Sequence, residues 1–116
     1  MEISVTVKKK TLVASLYGEL DHHTAKEVKD LIEEIIKNKG VKNLIFDFSN
    51  LSFMDSSGIG VIVGRYKLVC SIGGKVAISG ASKTVNRLIT MSGINKLIDT
   101  FDSVDAALNT LQEEIS

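Results

Sequence analysis

The sequence predicts an α/β fold: a mixed, mostly parallel sheet of four to five strands with an antiparallel first hairpin, packed with about four helices. Three observations lead there. Two β-type segments, residues 2–8 and 11–18, meet at the lysines of positions 8–10, a spacing that suits a hairpin. Beyond them, short apolar segments alternate with amphipathic ones, the pattern of parallel strands joined by helical crossovers. Finally, Leu44-Ile45-Phe46-Asp47-Phe48 is apolar with little alternation, as a strand covered on both faces requires. The 116 residues suit a single domain over positions 1–116, with no repeat, linker or low-complexity run to divide it.

Each element has a local reason. In residues 2–8, Ile3, Val5 and Val7 alternate with Ser4 and Thr6, which predicts a half-buried strand. The lysine run reads as a solvated turn that also discourages edge pairing. The second strand ends at Gly18, and a loop follows. Thr24 and Glu27 have the spacing of a capping box, so a helix is expected to open there. Its apolar stripe is Ala25, Val28, Leu31, Ile32, Ile35 and Ile36, with Gly40 as a left-handed stop.

The strand over residues 42–48 leads to Asp55, Ser56 and Ser57, where a second helix begins and runs to about residue 71. Ile59, Ile62, Val63, Tyr66 and Val69 form its main stripe, while Gly60 and Gly64 form a smooth ridge. That ridge suits either close packing on the sheet or docking of another chain. Gly73-Gly74 ends the helix, and a short strand covers residues 75–79. Ser82 caps a third helix with Val85, Leu88 and Ile89 inward and Gly93 as its stop. A brief strand over residues 96–101 precedes a last helix, capped near Asp102 or Ser103, with Val104, Ala107, Leu108 and Leu111 on one face.

Composition narrows the function. Fourteen basic residues balance fourteen acidic ones, which argues against a protein that neutralises many nucleic-acid phosphates. No apolar run approaches the ~20 residues of a membrane span. The first ten residues lack the layout of a signal peptide. Cys70 is the single cysteine, so no internal disulfide forms, and no Cys/His cluster has zinc spacing. These features fit a reducing cytoplasm and predict no metal. Cys70, near the end of an apolar helix, reads as a small packing residue.

The sequence carries no complete enzyme signature. Gly58-Ile59-Gly60 with Gly64 does not directly follow a strand, and no acidic residue ends the next one, so a dinucleotide site is not expected. A Walker loop and a hydrolase elbow are absent. His22 and His23 are neighbours on a helix start and point roughly 100° apart, which makes a poor joint metal site. No cofactor and no catalytic residue is expected. The remaining chemistry lies at the 55–57 junction. Asp and Ser are favoured caps for the free N–H groups of a first helical turn, and the same N–H groups attract anions. A serine there is either a cap or a hydroxyl that accepts a phosphoryl group.

The segments Gly18-Glu19-Leu20-Asp21-His22-His23-Thr24, LSFMDSSGIGVIVGRYK over residues 51–67, and Met91-Ser92-Gly93 together closely resemble the STAS family, and within it the anti-sigma factor antagonists of endospore-forming bacteria. The resemblance spans essentially the whole chain. It implies a STAS fold and a cytoplasmic partner-switching protein that is not itself an enzyme. The implied partners are an anti-sigma factor serine kinase of the SpoIIAB kind and a PP2C-type, metal-dependent serine phosphatase of the SpoIIE kind. The unphosphorylated antagonist would bind the anti-sigma factor and free the sigma factor, and a phosphate at the second motif serine, Ser57, would abolish binding. The surface expected to meet the partner comprises Asp21, His22, His23, Thr24, Asp55, Ser56, Ser57, Gly58, Gly60 and Gly64. Within the family, the Gly18–Thr24 loop and the Ser-Ser pair favour sporulation over a general-stress antagonist with the same mechanics. A nucleotide-binding or phosphate-transferring protein using Ser57 is the alternative from another class.

Overall fold

The computed structural model describes the backbone of residues 1–115 and the side chains of residues 1–111. Its elements are β1 (Glu2–Lys8), β2 (Thr11–Leu20), α1 (Ala25–Lys39), β3 (Asn43–Met54), α2 (Ser56–Ser71), β4 (Val76–Ser79), α3 (Lys83–Ser92), a 3-10 turn at Ile94–Lys96, β5 (Asp99–Phe101) and α4 (Val104–Ile115). The strands form one five-stranded sheet in chain order. β1 and β2 are antiparallel, and every later pair is parallel.

Helices α1, α2 and α3 each connect neighbouring parallel strands, and the right-handed crossover puts all three on one face. On that face Leu12, Ala14 and Leu16 of β2 and Leu44, Phe46 and Phe48 of β3 join one buried cluster with Val28, Ile32, Val61, Ile62, Val85 and Ile89. The intervening Val13, Ile45 and Ala77 face the other way and pack on Ala107, Leu108 and Leu111 of α4. The apolar run of β3 therefore has a use on both faces. Burying each large apolar side chain contributes about 1.5–3 kcal/mol.

Several elements differ from expectation, each for a physical reason. Val5 and Val7 lie on the same face as Ile3, but they are 39% and 42% exposed because β1 is the edge strand and only Ile3 packs against the core. Both β2 and β3 run further than expected, to Leu20 and Met54. Their pairing continues past two register shifts, so bulges carry the ladder through the polar stretch around Ser49 and Asn50. The expected strand over residues 96–101 is split into the 3-10 turn and a three-residue β5. Cys70 is exposed and is no packing residue. The stripe of α2 is also rotated. Val61 and Arg65 are buried with Ile62 and Val69, while Ile59, Val63 and Tyr66 are only partly buried.

Two adjacent glycines close α2 in different ways. Gly73 takes φ +80°, the left-handed turn that ends the helix. A Cβ on Gly74 would collide with the backbone carbonyl of Lys42 at the start of β3. We therefore expect Gly74→Ala to destabilise the fold by about 1–3 kcal/mol in urea denaturation, because that carbonyl cannot move aside as a side chain could. A midpoint equal to wild type would show that the 73–74 turn tolerates a methyl group.

Candidate functional site

The site is made by strand pairing. β2 and β3 are parallel neighbours that end in register, with Leu20 opposite Met54. The Asp55 N–H donates to the Leu20 carbonyl at 3.3 Å. The 21–24 loop and the 55–57 junction thus leave the C-terminal end of the parallel strands side by side. The C-terminal end of α3, with Met91-Ser92-Gly93, lies at the opposite end of the strands, because α3 returns from the end of β4 to the start of β5.

Asp55 is the cap of α2. Its side chain accepts from the Ser57 N–H at 2.8 Å, and its carbonyl accepts from Gly58 at 3.0 Å. The aspartate thereby relieves both serines of capping, and among the described residues neither hydroxyl takes part in a hydrogen bond. Ser56 is exposed. Ser57 is half-buried, because it lies one helical turn before the buried Val61 and so faces α1. Together with Ala25, Lys26, Lys29, Gly60, Val61 and Arg65 it lines an open groove of about 280 Å³ between the two helices. Ser56 is the more exposed of the pair.

The neighbouring loop is held by a capping box, three residues earlier than expected. Thr24 offers no side-chain cap to α1. Instead the Asp21 carboxylate accepts from the N–H groups of His23 at 2.8 Å and Thr24 at 3.1 Å, and the Asp21 N–H donates to the Thr24 hydroxyl at 3.0 Å. That hydroxyl donates onward to the Glu19 carbonyl at 2.8 Å. Asp-x-x-Thr is the same reciprocal arrangement as Thr-x-x-Glu with the partners shifted. His22 and His23 are exposed, with ring centroids 5.7 Å apart.

The glycines of α2 play unlike parts. Gly58 is buried, and a Cβ there would land on the Met54 thioether and press on Leu20. It fixes how closely the helix start approaches the strand ends. Gly60 and Gly64 have open space where a Cβ would stand. Packing on the sheet is therefore not their reason, although each costs α2 roughly 1 kcal/mol relative to alanine.

Arg65 escaped the sequence reading. It is 7% exposed, and its Nη2 lies 3.7 Å from Glu33 Oε1. Its Nε and Nη1 have no hydrogen-bond partner. A buried donor left unsatisfied costs about 1–3 kcal/mol. The available signal was the four-residue step from Ser57 to Val61 to Arg65, which puts all three on one helical face.

The sequence and fold were compared with known proteins. A family model for the STAS domain matches residues 2–107. The chain belongs to the STAS family. Among its relatives, an anti-sigma F factor antagonist of Paenibacillus polymyxa is 38% identical over 112 residues, covering 97% of this chain and 96% of that protein. An anti-sigma-B factor antagonist of Listeria monocytogenes is 30% identical over 112 residues, covering 94% and 96%. The structure of the anti-sigma factor antagonist SpoIIAA in its unphosphorylated form superposes with TM-score 0.86 at 29% identity, covering 97% of each chain. That of the Bacillus cell fate determinant SpoIIAA in the phosphorylated form gives 0.75, also at 29%, covering 94% and 98%. This places the STAS chain among the anti-sigma factor antagonists. Among its described residues no helix is long and apolar enough to cross a membrane.

Asp21 gives this STAS site a pH signature. Desolvation pushes its carboxyl upward, but the N–H bonds from His23 and Thr24, the Thr24 hydroxyl and the nearby His23 together hold it below the ordinary carboxylate range. Because the folded value is the lower one, its stabilising effect on the loop is present above the unfolded pKa of about 3.9 and is lost as pH falls through the folded value. Carbon-detected NMR titration is expected to show Asp21 ionising at lower pH than in the urea-unfolded chain. A higher folded value would mean that the box does not hold the charged carboxylate.

Proposed function

We propose that this STAS protein is a cytoplasmic partner switch controlled by phosphorylation of Ser57. In the unphosphorylated form it binds an anti-sigma factor that is also a serine kinase, and so releases the sporulation sigma factor. The kinase transfers the γ-phosphoryl group of ATP to Ser57 Oγ: an O–P bond forms, the hydroxyl proton leaves and ADP is released. A PP2C-type, metal-dependent serine phosphatase restores the hydroxyl by hydrolysis. The catalytic groups belong to the partners, and Ser57 is their substrate.

The observation that carries this reading is the side-by-side placement of the 21–24 loop and the capped start of α2, whose Ser57 hydroxyl is unengaged. The helix start tolerates an anion, so the fold survives the modification. Binding does not, because a phosphate adds about −1.5 to −2 charges to the docking surface at pH 7, and desolvating charge in an interface costs several kcal/mol. Asp21 and Asp55 add like-charge repulsion. Since a tenfold loss of affinity needs only about 1.4 kcal/mol, one phosphate is enough.

Gly60 and Gly64 support a docking surface that continues down α2. Nothing within the chain requires them, whereas the backbone of a partner could approach closely there. Asp21, His22, His23, Thr24, Asp55, Ser56 and Ser57 complete the surface, and Gly58 sets its height from below. The Listeria relative favours a second reading, a general-stress antagonist with the same mechanics; the sporulation reading is favoured by the greater similarity of the Paenibacillus relative.

Incubation with the anti-sigma kinase and ATP, read by mass spectrometry, is expected to give one phosphate on Ser57. A phosphate on Ser56, or none, would overturn the assignment. Gly60→Ala is expected to stabilise the free chain by up to about 1 kcal/mol while weakening anti-sigma binding about tenfold or more. Undiminished binding by a stabilised Gly60→Ala variant would remove α2 from the docking surface.

A further inference from the structure

We propose that the groove between α1 and α2 is an anion seat that takes up the phosphoryl group of phosphorylated Ser57, held by Lys26, Lys29 and Arg65. This inference rests on the reading of Ser57 as the modified serine. It adds what becomes of the phosphate in the free protein: the group is held against the chain's own side chains in the open groove.

Three observations converge. Ser57 lines the groove and Ser56 does not, so only one of the two adjacent hydroxyls can deliver a phosphoryl group into it. The groove is walled by cations from both helices, Lys26 and Lys29 on α1 and Arg65 on α2. Arg65, moreover, is a buried guanidinium with two nitrogens lacking an acceptor, the kind of group a phosphoryl oxygen satisfies. Arg65 lies on the same helical face as Ser57, about two turns further along α2, and lines the same groove.

The charges near the groove favour an anion but are not all free. Lys26 Nζ lies 2.6 Å from Asp30 Oδ2 in an exposed pair, which a phosphate can rival. Arg65 has Glu33 at 3.7 Å. Lys29 is in no ion pair or hydrogen bond among the described residues. Asp55, whose carboxylate accepts from the Ser57 N–H at 2.8 Å, is a third carboxylate, so three cations face three carboxylates and what favours an anion is the unpaired Lys29 and the unsatisfied guanidinium of Arg65 rather than a net surplus. A phosphate of about −1.5 to −2 charges makes the filled surface negative.

The test installs phosphoserine during translation, at position 57 or at position 56, so that no kinase is involved. The second ionisation of the phosphate is followed by phosphorus NMR against pH at low salt. For phosphoserine at 57 in the otherwise unchanged chain, the pKa is expected to lie about 0.5 below that in a Lys26→Gln, Lys29→Gln double variant, a roughly threefold difference in proton affinity. Both lysines are exposed, so the fold survives their loss, and the helix start acts equally in both proteins. Phosphoserine at 56 is expected to be indifferent to the double variant. Equal values at 57 with and without the lysines would overturn the seat, as would an equal response at 56. Either result leaves the kinase's choice of serine untouched, and a kinase that chose another serine would leave this measurement standing.

Discussion

The parallel pairing of β2 with β3, carried through to Leu20 and Met54, is the constraint on which the site depends. Without the bulges that extend both strands, the 21–24 loop and the start of α2 would leave the sheet at different heights. With them, two capped turns lie next to each other and tie together through Asp55 and Leu20. Gly58 completes the arrangement by letting α2 settle against Met54. The backbone therefore positions every element of the surface before any side chain of the site is considered.

Capping then decides which groups are spare. An N-cap aspartate takes the Ser57 N–H at the start of α2, and an aspartate–threonine box holds the turn before α1. Once the two aspartates do this work, the hydroxyl of Ser57 has no structural duty. A phosphoryl group there removes no hydrogen bond from the fold, and it arrives where helix dipoles accept negative charge. The modification can thus change what the surface binds while the structure beneath it remains. The cost in stability accepted at Gly60 and Gly64 has the same sense, since nothing within the chain requires those glycines.

Much of this was legible in the sequence. Strand alternation, helical stripes and the glycine stops at 40 and 93 follow from backbone and burial rules that act locally, and the structure places them where those rules do. The length of β3 was not legible, because Ser49, Asn50 and Ser52 interrupt the apolar pattern and only the ladder with β2 keeps that stretch extended. The box before α1 was misplaced because two spacings overlap at Thr24, and the one with Asp21 wins by also engaging the Glu19 carbonyl. Arg65 was missed because a charged residue reads as solvent-facing, whereas here α1 covers it. Cys70 erred in the opposite direction: an apolar helix end looked buried but lies open. The Asp55–Ser57 junction was found by local chemistry, while its neighbour across the strand ends was a matter of tertiary pairing.

The central claim is that one phosphate at Ser57 turns off binding without disturbing the fold. Isothermal titration of the anti-sigma factor with the unmodified and the Ser57-phosphorylated chain tests it most directly, with circular dichroism recorded on both forms. The account predicts at least a tenfold loss of affinity and superimposable spectra. Equal affinity, or a loss accompanied by unfolding, would contradict it.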